Sequence, residues 1–171
     1  MDGFVGGGGG CHGKRMGGLA LMGSTVKDVL GPMVPGSHQV PYADCYRCPF
    51  KLEYPTCGIA CADFARKYVK TATAGAVAGM IVEPMQGTDG HIIPPKEFLP
   101  AMASIAKEVD ALFIADELIT GLGRTGTRWG GEHTGVVPDL DTGGHARGGG
   151  APLAAPAPPR DARGARPRAT A

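Results

Sequence analysis

Two short apolar runs, each closed by an acid, leave this chain little choice of fold. "AVAGMIVEP" (76–84) ends in Glu83 and Pro84, and "ALFIAD" (111–116) ends in Asp116. Neither run alternates polar with apolar, so each is predicted to be a strand buried on both faces, as in parallel sheets. Between them, "PPKEFLPAMASIAKEVDA" (94–111) carries Phe98, Met102, Ile105 and Val109 at helical spacing. Pro100 falls in the first turn of the main helix, where its missing N–H costs little. Strand, helix, strand is a βαβ unit, so the predicted fold class is α/β with an at least partly parallel sheet. A second amphipathic helix is predicted over "CGIACADFARKYVKTA" (57–72), with Ala60, Phe64 and Tyr68 on its apolar face.

The chain has 171 residues, enough for one domain with a real core. Its 29 glycines and 15 prolines crowd toward the ends. Residues 6–10 are all glycine, and residues 1–10 are expected to be poorly ordered. Apart from Asp141, Thr142, His145, Leu153, Asp161 and Thr170, residues 141–171 are all Ala, Gly, Pro or Arg. That composition buries too little to offset its ordering entropy, and disorder is expected there. The folded part is expected over residues 11–140. A net charge of +1 offers no nucleic-acid surface, and no stretch has the roughly 20 apolar residues of a membrane span. With no signal-peptide core at the start, the expected location is the cytoplasm.

Ligands of open α/β sheets bind beyond the carboxyl ends of the strands, and Glu83 and Asp116 both sit at such ends. Two acids facing one crevice suit cation binding, acid–base work or pairing with a protonated ring nitrogen; equally, each could simply anchor a loop. "GLGRTG" (121–126) matches G-x-G-x-x-G but starts five residues beyond Asp116, with no acid at the right distance after it. A tight Gly-rich loop, with Arg124 pinning it or meeting an anion, is favoured over dinucleotide binding. Cys45, Cys48, Cys57 and Cys61 have the spacing C-x2-C-x8-C-x3-C. Reduced, loop-packing thiols are the preferred reading, with a small Cys-based metal-binding module as the alternative. His12 and His145 are lone histidines in glycine-rich settings and read as loop residues.

Taken together, "HGKRMGGLALMGS" (12–24), "GPMVPG" (31–36), "VPYADCYRCPF" (40–50), "IVEPMQGTDGHIIPPKEFL" (81–99) and "LFIADELITGLGRTGTRWGGEHTGVVPDL" (112–140) resemble the class III aminotransferases. These are pyridoxal-phosphate enzymes of fold type I. The resemblance covers about 11–140, with a trace to Ala154. It implies a fragment of the fold type I large domain, with a mostly parallel sheet flanked by helices. It also implies pyridoxal 5'-phosphate as cofactor, an amino acid or amine donor, a 2-oxo acid acceptor and a homodimer. By the same resemblance, Asp116 is the acid beside the cofactor's pyridine nitrogen, which keeps the ring an electron sink. His12 lies next to the ring, Ile119 near the phenolic oxygen, and Cys11 where an aromatic residue usually stacks; the cysteine loses that stacking. Glu83 resembles the family's "EP" acid near the active site.

Two departures bear on activity. "QGTDG" replaces the "QGEGG" of the 4-aminobutyrate and acetylornithine branches, so neither substrate is implied. The family's nucleophilic lysine lies in a motif that here reads "PDLDTGGHARGGGAPLA" (138–154), and its position holds His145. Every lysine lies at or before Lys107. Histidine shuttles protons but makes no stable imine with an aldehyde, so no catalytic residue is assigned and this chain alone is expected to be inactive. The resemblance further implies that the phosphate-cradling loop precedes residue 1 and that the small domain follows residue 171. The decay of the motif from Asp141 is the pattern of a GC-rich gene read out of frame, a hypothesis that resequencing from the codon for Val137 would test. A non-catalytic binding or assembly module that keeps the large-domain core is the reading from a different class.

Overall fold

The computed structural model describes residues 3–73, 76–146 and 155–157. The elements run β1 (Gly3–Gly7), α1 (Met16–Leu21), β2 (Ser37–Val40), α2 (Ala60–Ala72), β3 (Val77–Val82), α3 (Phe98–Glu108), β4 (Leu112–Asp116), β5 (Leu140–Gly143) and β6 (Ala155–Ala157). Short 3-10 turns occupy Thr25–Val29 and Gly130–Thr134. The strands form one sheet in the order β2-β1-β3-β4-β5-β6. Every pairing is parallel except β5 with β6. The predicted βαβ unit is present, with β3 and β4 adjacent and in register from Gly79↔Leu112 to Val82↔Ala115.

Alternation along β1 sends Val5 into the core and Gly6 toward α1. The core joins Val5, Met80, Val82 and Phe113 of the sheet to Ala62, Ala65 and Val69 of α2 and to Phe98, Leu99, Met102 and Ile105 of α3. The nine of these side chains larger than alanine, buried at about 1.5–3 kcal/mol each, outweigh the surface ion pairs that join the two helices, Arg66–Glu108 and Lys70–Glu108, which contribute little. Pro100 lies in the first turn of α3, as expected.

Several sequence expectations need correction. The glycine-rich start is not loose at residues 3–7: these form β1, paired on both sides. Its glycines are there for closeness. A Cβ on Gly10 would lie 2.8 Å from the Gly7 carbonyl, and one on Gly23 would strike the backbone of Gly9. The sheet also passes residue 140, since β5 spans Leu140–Gly143 and β6 spans Ala155–Ala157. Both expected boundaries of the folded part, 11 and 140, therefore cut through one sheet. Residues 144–146 continue from β5, and 147–154 and 158–171 of the expected tail lie outside the described residues.

Helix α2 buries Ala62, Ala65 and Val69, not the expected face, and Phe64 is 41% exposed. Phe64 instead stacks on Tyr68 and packs against Phe50, so the aromatic face holds the preceding loop. Strand β4 is not buried on both faces either. Leu112 and Phe4, on the same side of the sheet as Ile114, are exposed by 39% and 42%.

Candidate functional site

The carboxyl ends of β3 and β4 carry Glu83 and Asp116, and the turn after β1 carries Cys11 and His12. The sheet order sets these three strands side by side, so residues far apart in sequence meet at one sheet edge. Nδ1 of His12 lies 2.7 Å from Oδ2 of Asp116, both side chains being buried. The other oxygen of Asp116 accepts from Thr142 Oγ1 (2.7 Å) and from the Leu118 amide (3.1 Å). Three donors hold that carboxylate in one orientation.

Glu83 is 6% exposed and accepts from the Cys11 amide at 2.9 Å through Oε1. Its Oε2 is buried with no hydrogen-bond partner, as are His12 Nε2 and Gln86 Oε1. Burial pushes the Glu83 carboxyl up to about 7, and the charge of Asp116 adds to the shift. Behind it, the Tyr42 hydroxyl donates to the Glu83 carbonyl at 2.9 Å, and burial raises that phenol above its ordinary range. His12, Glu83 and Asp116 each offer an atom within 4.8 Å of the others, the one such group among the described residues.

A cavity of about 500 Å³ opens over this cluster, within the usual size range for small-molecule sites. Cys11, Glu83, Asp116, Ile119, Arg124 and His145 are among its walls. Each residue that the resemblance sets near the cofactor thus lines it or, in the case of His12, braces a residue that does. Ile119 presses on Gly87, where a Cβ would collide with its terminal methyl. Arg124 comes from the Gly-rich loop, so that loop brings a cation to the cavity wall. No lysine lines the cavity among the described residues.

The neighbour of Asp116 does something else. Glu117 is 1% exposed and accepts from Thr120 Oγ1 and from the amides of Gly130 and Gly131, both at 2.8 Å. It ties both ends of the Gly-rich loop together. The sequence reading missed Glu117, and it missed Thr142 as the brace of Asp116, although Thr142 stands in the "PDLDTGG" frame. It also did not foresee Asp141, 4% exposed, whose carboxyl burial raises to about 6 with help from Glu117 and Glu132. The four clustered cysteines line a separate cavity with Tyr42, Phe50 and Tyr54. No three of their sulfurs lie within 4.8 Å of one another.

The family model described as aminotransferase class-III matches residues 4–165. A leucine/methionine racemase from Thermococcus litoralis is 40% identical over 119 residues, covering 69% of this chain and 27% of its own. A diaminobutyrate–2-oxoglutarate aminotransferase from Rhizobium meliloti is 36% identical over 146 residues, covering 84% and 31%. Among solved structures, a PLP-bound amine transaminase from an uncultivated Pseudomonas species superposes with a TM-score of 0.78 at 31% identity. That match covers 82% of this chain and 32% of the transaminase. The chain therefore spans about a third, or less, of the length of these relatives.

Proposed function

The chain belongs to the class-III aminotransferase family, and on that premise we propose that it supplies the cofactor-ring half of a pyridoxal-phosphate aminotransferase site. The observation that carries this is the braced carboxylate of Asp116 on the wall of a ring-sized cavity. An anion held by three donors, with lone-pair capacity left on Oδ2, fits a protonated pyridine nitrogen. Cys11 and Ile119 would flank the ring, and His12 would hold Asp116 from behind. Bound there, pyridoxal phosphate supplies an electron sink for the carbanion left when a donor's C–H proton departs. In the complete enzyme an amino group would pass from an amino acid or amine to a 2-oxo acid.

The same cavity favours a restriction on this chain. His145 lines it and no lysine does, so the cofactor would be held without a covalent bond and turnover by this chain alone is not expected. His145 retains the capacity to move a proton at the cavity wall. A homodimer is proposed as well, since Val26, Val29, Leu30 and Val34 are exposed in one apolar stretch. A cytoplasmic setting is proposed from five free cysteines. No helix among the described residues is long and apolar enough to cross a membrane.

Titration with pyridoxal phosphate, followed by borohydride reduction and intact-mass measurement, tests the reading. The expected result is saturable binding with no mass increase, binding about tenfold weaker in Asp116→Asn, and a fixed adduct at position 145 in His145→Lys. Binding that is indifferent to Asp116→Asn would overturn the ring-nitrogen assignment. A reducible adduct in the unsubstituted chain would overturn the non-covalent one.

A further inference from the structure

The proposed function leaves the cavity away from the Asp116 cluster unused. Residues 41–59, between β2 and α2, form a long connection without strand or helix. Such connections inside compact domains are uncommon and usually have a task. This one is folded largely on itself. Asp44 Oδ1 accepts from the amides of Tyr46 and Arg47, Lys51 N–H donates to Cys48 O, and Cys57 N–H donates to Glu53 O. Lys51 and Ile59 sit in the left-handed region, where side-chain-bearing residues stay only when their surroundings hold them. Phe50 anchors the loop on Phe64 of α2.

Cys45, Cys48, Cys57 and Cys61 all lie on this loop or on the first turn of α2, and all four line one cavity. The remaining cysteine, Cys11, lines the other cavity, and the two share no wall residue. The cavity that they line, with Tyr42, Phe50 and Tyr54 among its other walls, is small, about 20 Å³. That is room for about one water-sized sphere, too little for an organic ligand. All four thiols are free. Four sulfurs as the ligand set would select a soft, tetrahedral cation over magnesium or calcium, and Asp44 on the same wall is engaged by the Tyr46 and Arg47 amides.

We propose that Cys45, Cys48, Cys57 and Cys61 form a structural zinc site that ties the 45–48 turn to the N-terminus of α2. Binding would draw the sulfurs from their present spread to about 3.8 Å apart, the edge of a tetrahedron with Zn–S of about 2.3 Å. Cys45 lies at the exposed end of that turn. The loop also carries Tyr42 at its start, whose hydroxyl meets the Glu83 carbonyl. The tie would therefore steady the floor of the Asp116 cavity without touching it.

Cobalt substitution of the purified chain tests the site without a variant. Co2+ bound by thiolates gives intense sulfur-to-metal charge-transfer bands, and Zn2+ displaces it. One equivalent of metal per chain, charge-transfer bands, and four of the five thiols protected from a thiol reagent are expected. Cys48→Ser and Cys57→Ser should each weaken Zn2+ binding at least about tenfold, while Cys11→Ser keeps one equivalent. Circular dichroism identifies any variant that fails to fold, and the cobalt spectrum of the unsubstituted chain then decides alone. A spectrum without thiolate bands overturns the proposal, as does metal that is lost in His12→Ala and kept in Cys48→Ser. So does a chain, purified under reductant, whose cysteines pair as disulfides with no metal.

Discussion

Glu83 and Glu117 are both buried glutamates just past the ends of neighbouring strands, and they are in opposite states. Glu117 has a donor for each oxygen and closes a loop. Glu83 has one donor, an orphaned oxygen and a carboxyl raised to about 7. A saturated buried carboxylate is a piece of scaffold, because its charge is already spent on local amides. A half-satisfied one keeps an interaction in reserve, and it faces the cavity. Burial alone does not separate the two; the count of donors does.

The contrast can be broken by substitution. The largest effect is expected from Glu117→Ala, which strands a hydroxyl and two buried amides. Denaturant unfolding should show a loss of about 3 kcal/mol or more, and Glu117→Gln should recover part of it. Glu83→Gln comes next and should act through pH. A carboxyl raised in the fold holds its proton more tightly there than in the unfolded chain. Its contribution to stability is thus fully present below about 4.5 and is lost as pH rises to about 7. Melting temperatures taken across that window should decline less steeply in Glu83→Gln, with a gain on the order of 2 kcal/mol above pH 7. A slope unchanged by the substitution would place the orphaned oxygen in water.

Asp141→Asn sharpens the same test in a lower window. The Asp141 carboxyl is raised to about 6 from 3.8, so the substitution should flatten only the pH 4–6 part of the curve. The smallest stability change is expected from Asp116→Asn, about 1 kcal/mol. Its retained oxygen still accepts from Thr142 and Leu118, and only the bond to His12 must rearrange. Calorimetry of that variant beside its cofactor titration separates a binding role from a folding one.

Legibility in the sequence followed the range of the interactions. The apolar runs of β3 and β4 and the 3.6-residue period of α3 are local patterns, and strand, strand and helix stand where those patterns place them, although β4 is buried on one face only. Strand β1 was not legible, since glycines have no period and its pairing depends on residues 37–40 and 77–82. The apolar face of α2 differs from the expected one because Phe64 packs on Phe50 of the cysteine loop, while Tyr68 stacks on Phe64 and reaches His38 of β2. In the site, Asp116 was visible as an acid at a strand end, and its cofactor role came from resemblance. Glu117 was invisible for a physical reason: its partners are backbone amides 13 and 14 residues away, which no side chain announces.

The position of β1 has a consequence for biosynthesis. Of the described strands it is made first, yet it lies between β2 and β3, so it leaves the ribosome before either of these partners exists. From Gly7 to Val77, at ~5–20 residues per second, the wait is roughly 4–14 s. An apolar strand exposed for that long would invite pairing with other nascent chains. With glycine at three of its five positions, β1 offers such partners only Phe4 and Val5 to bury.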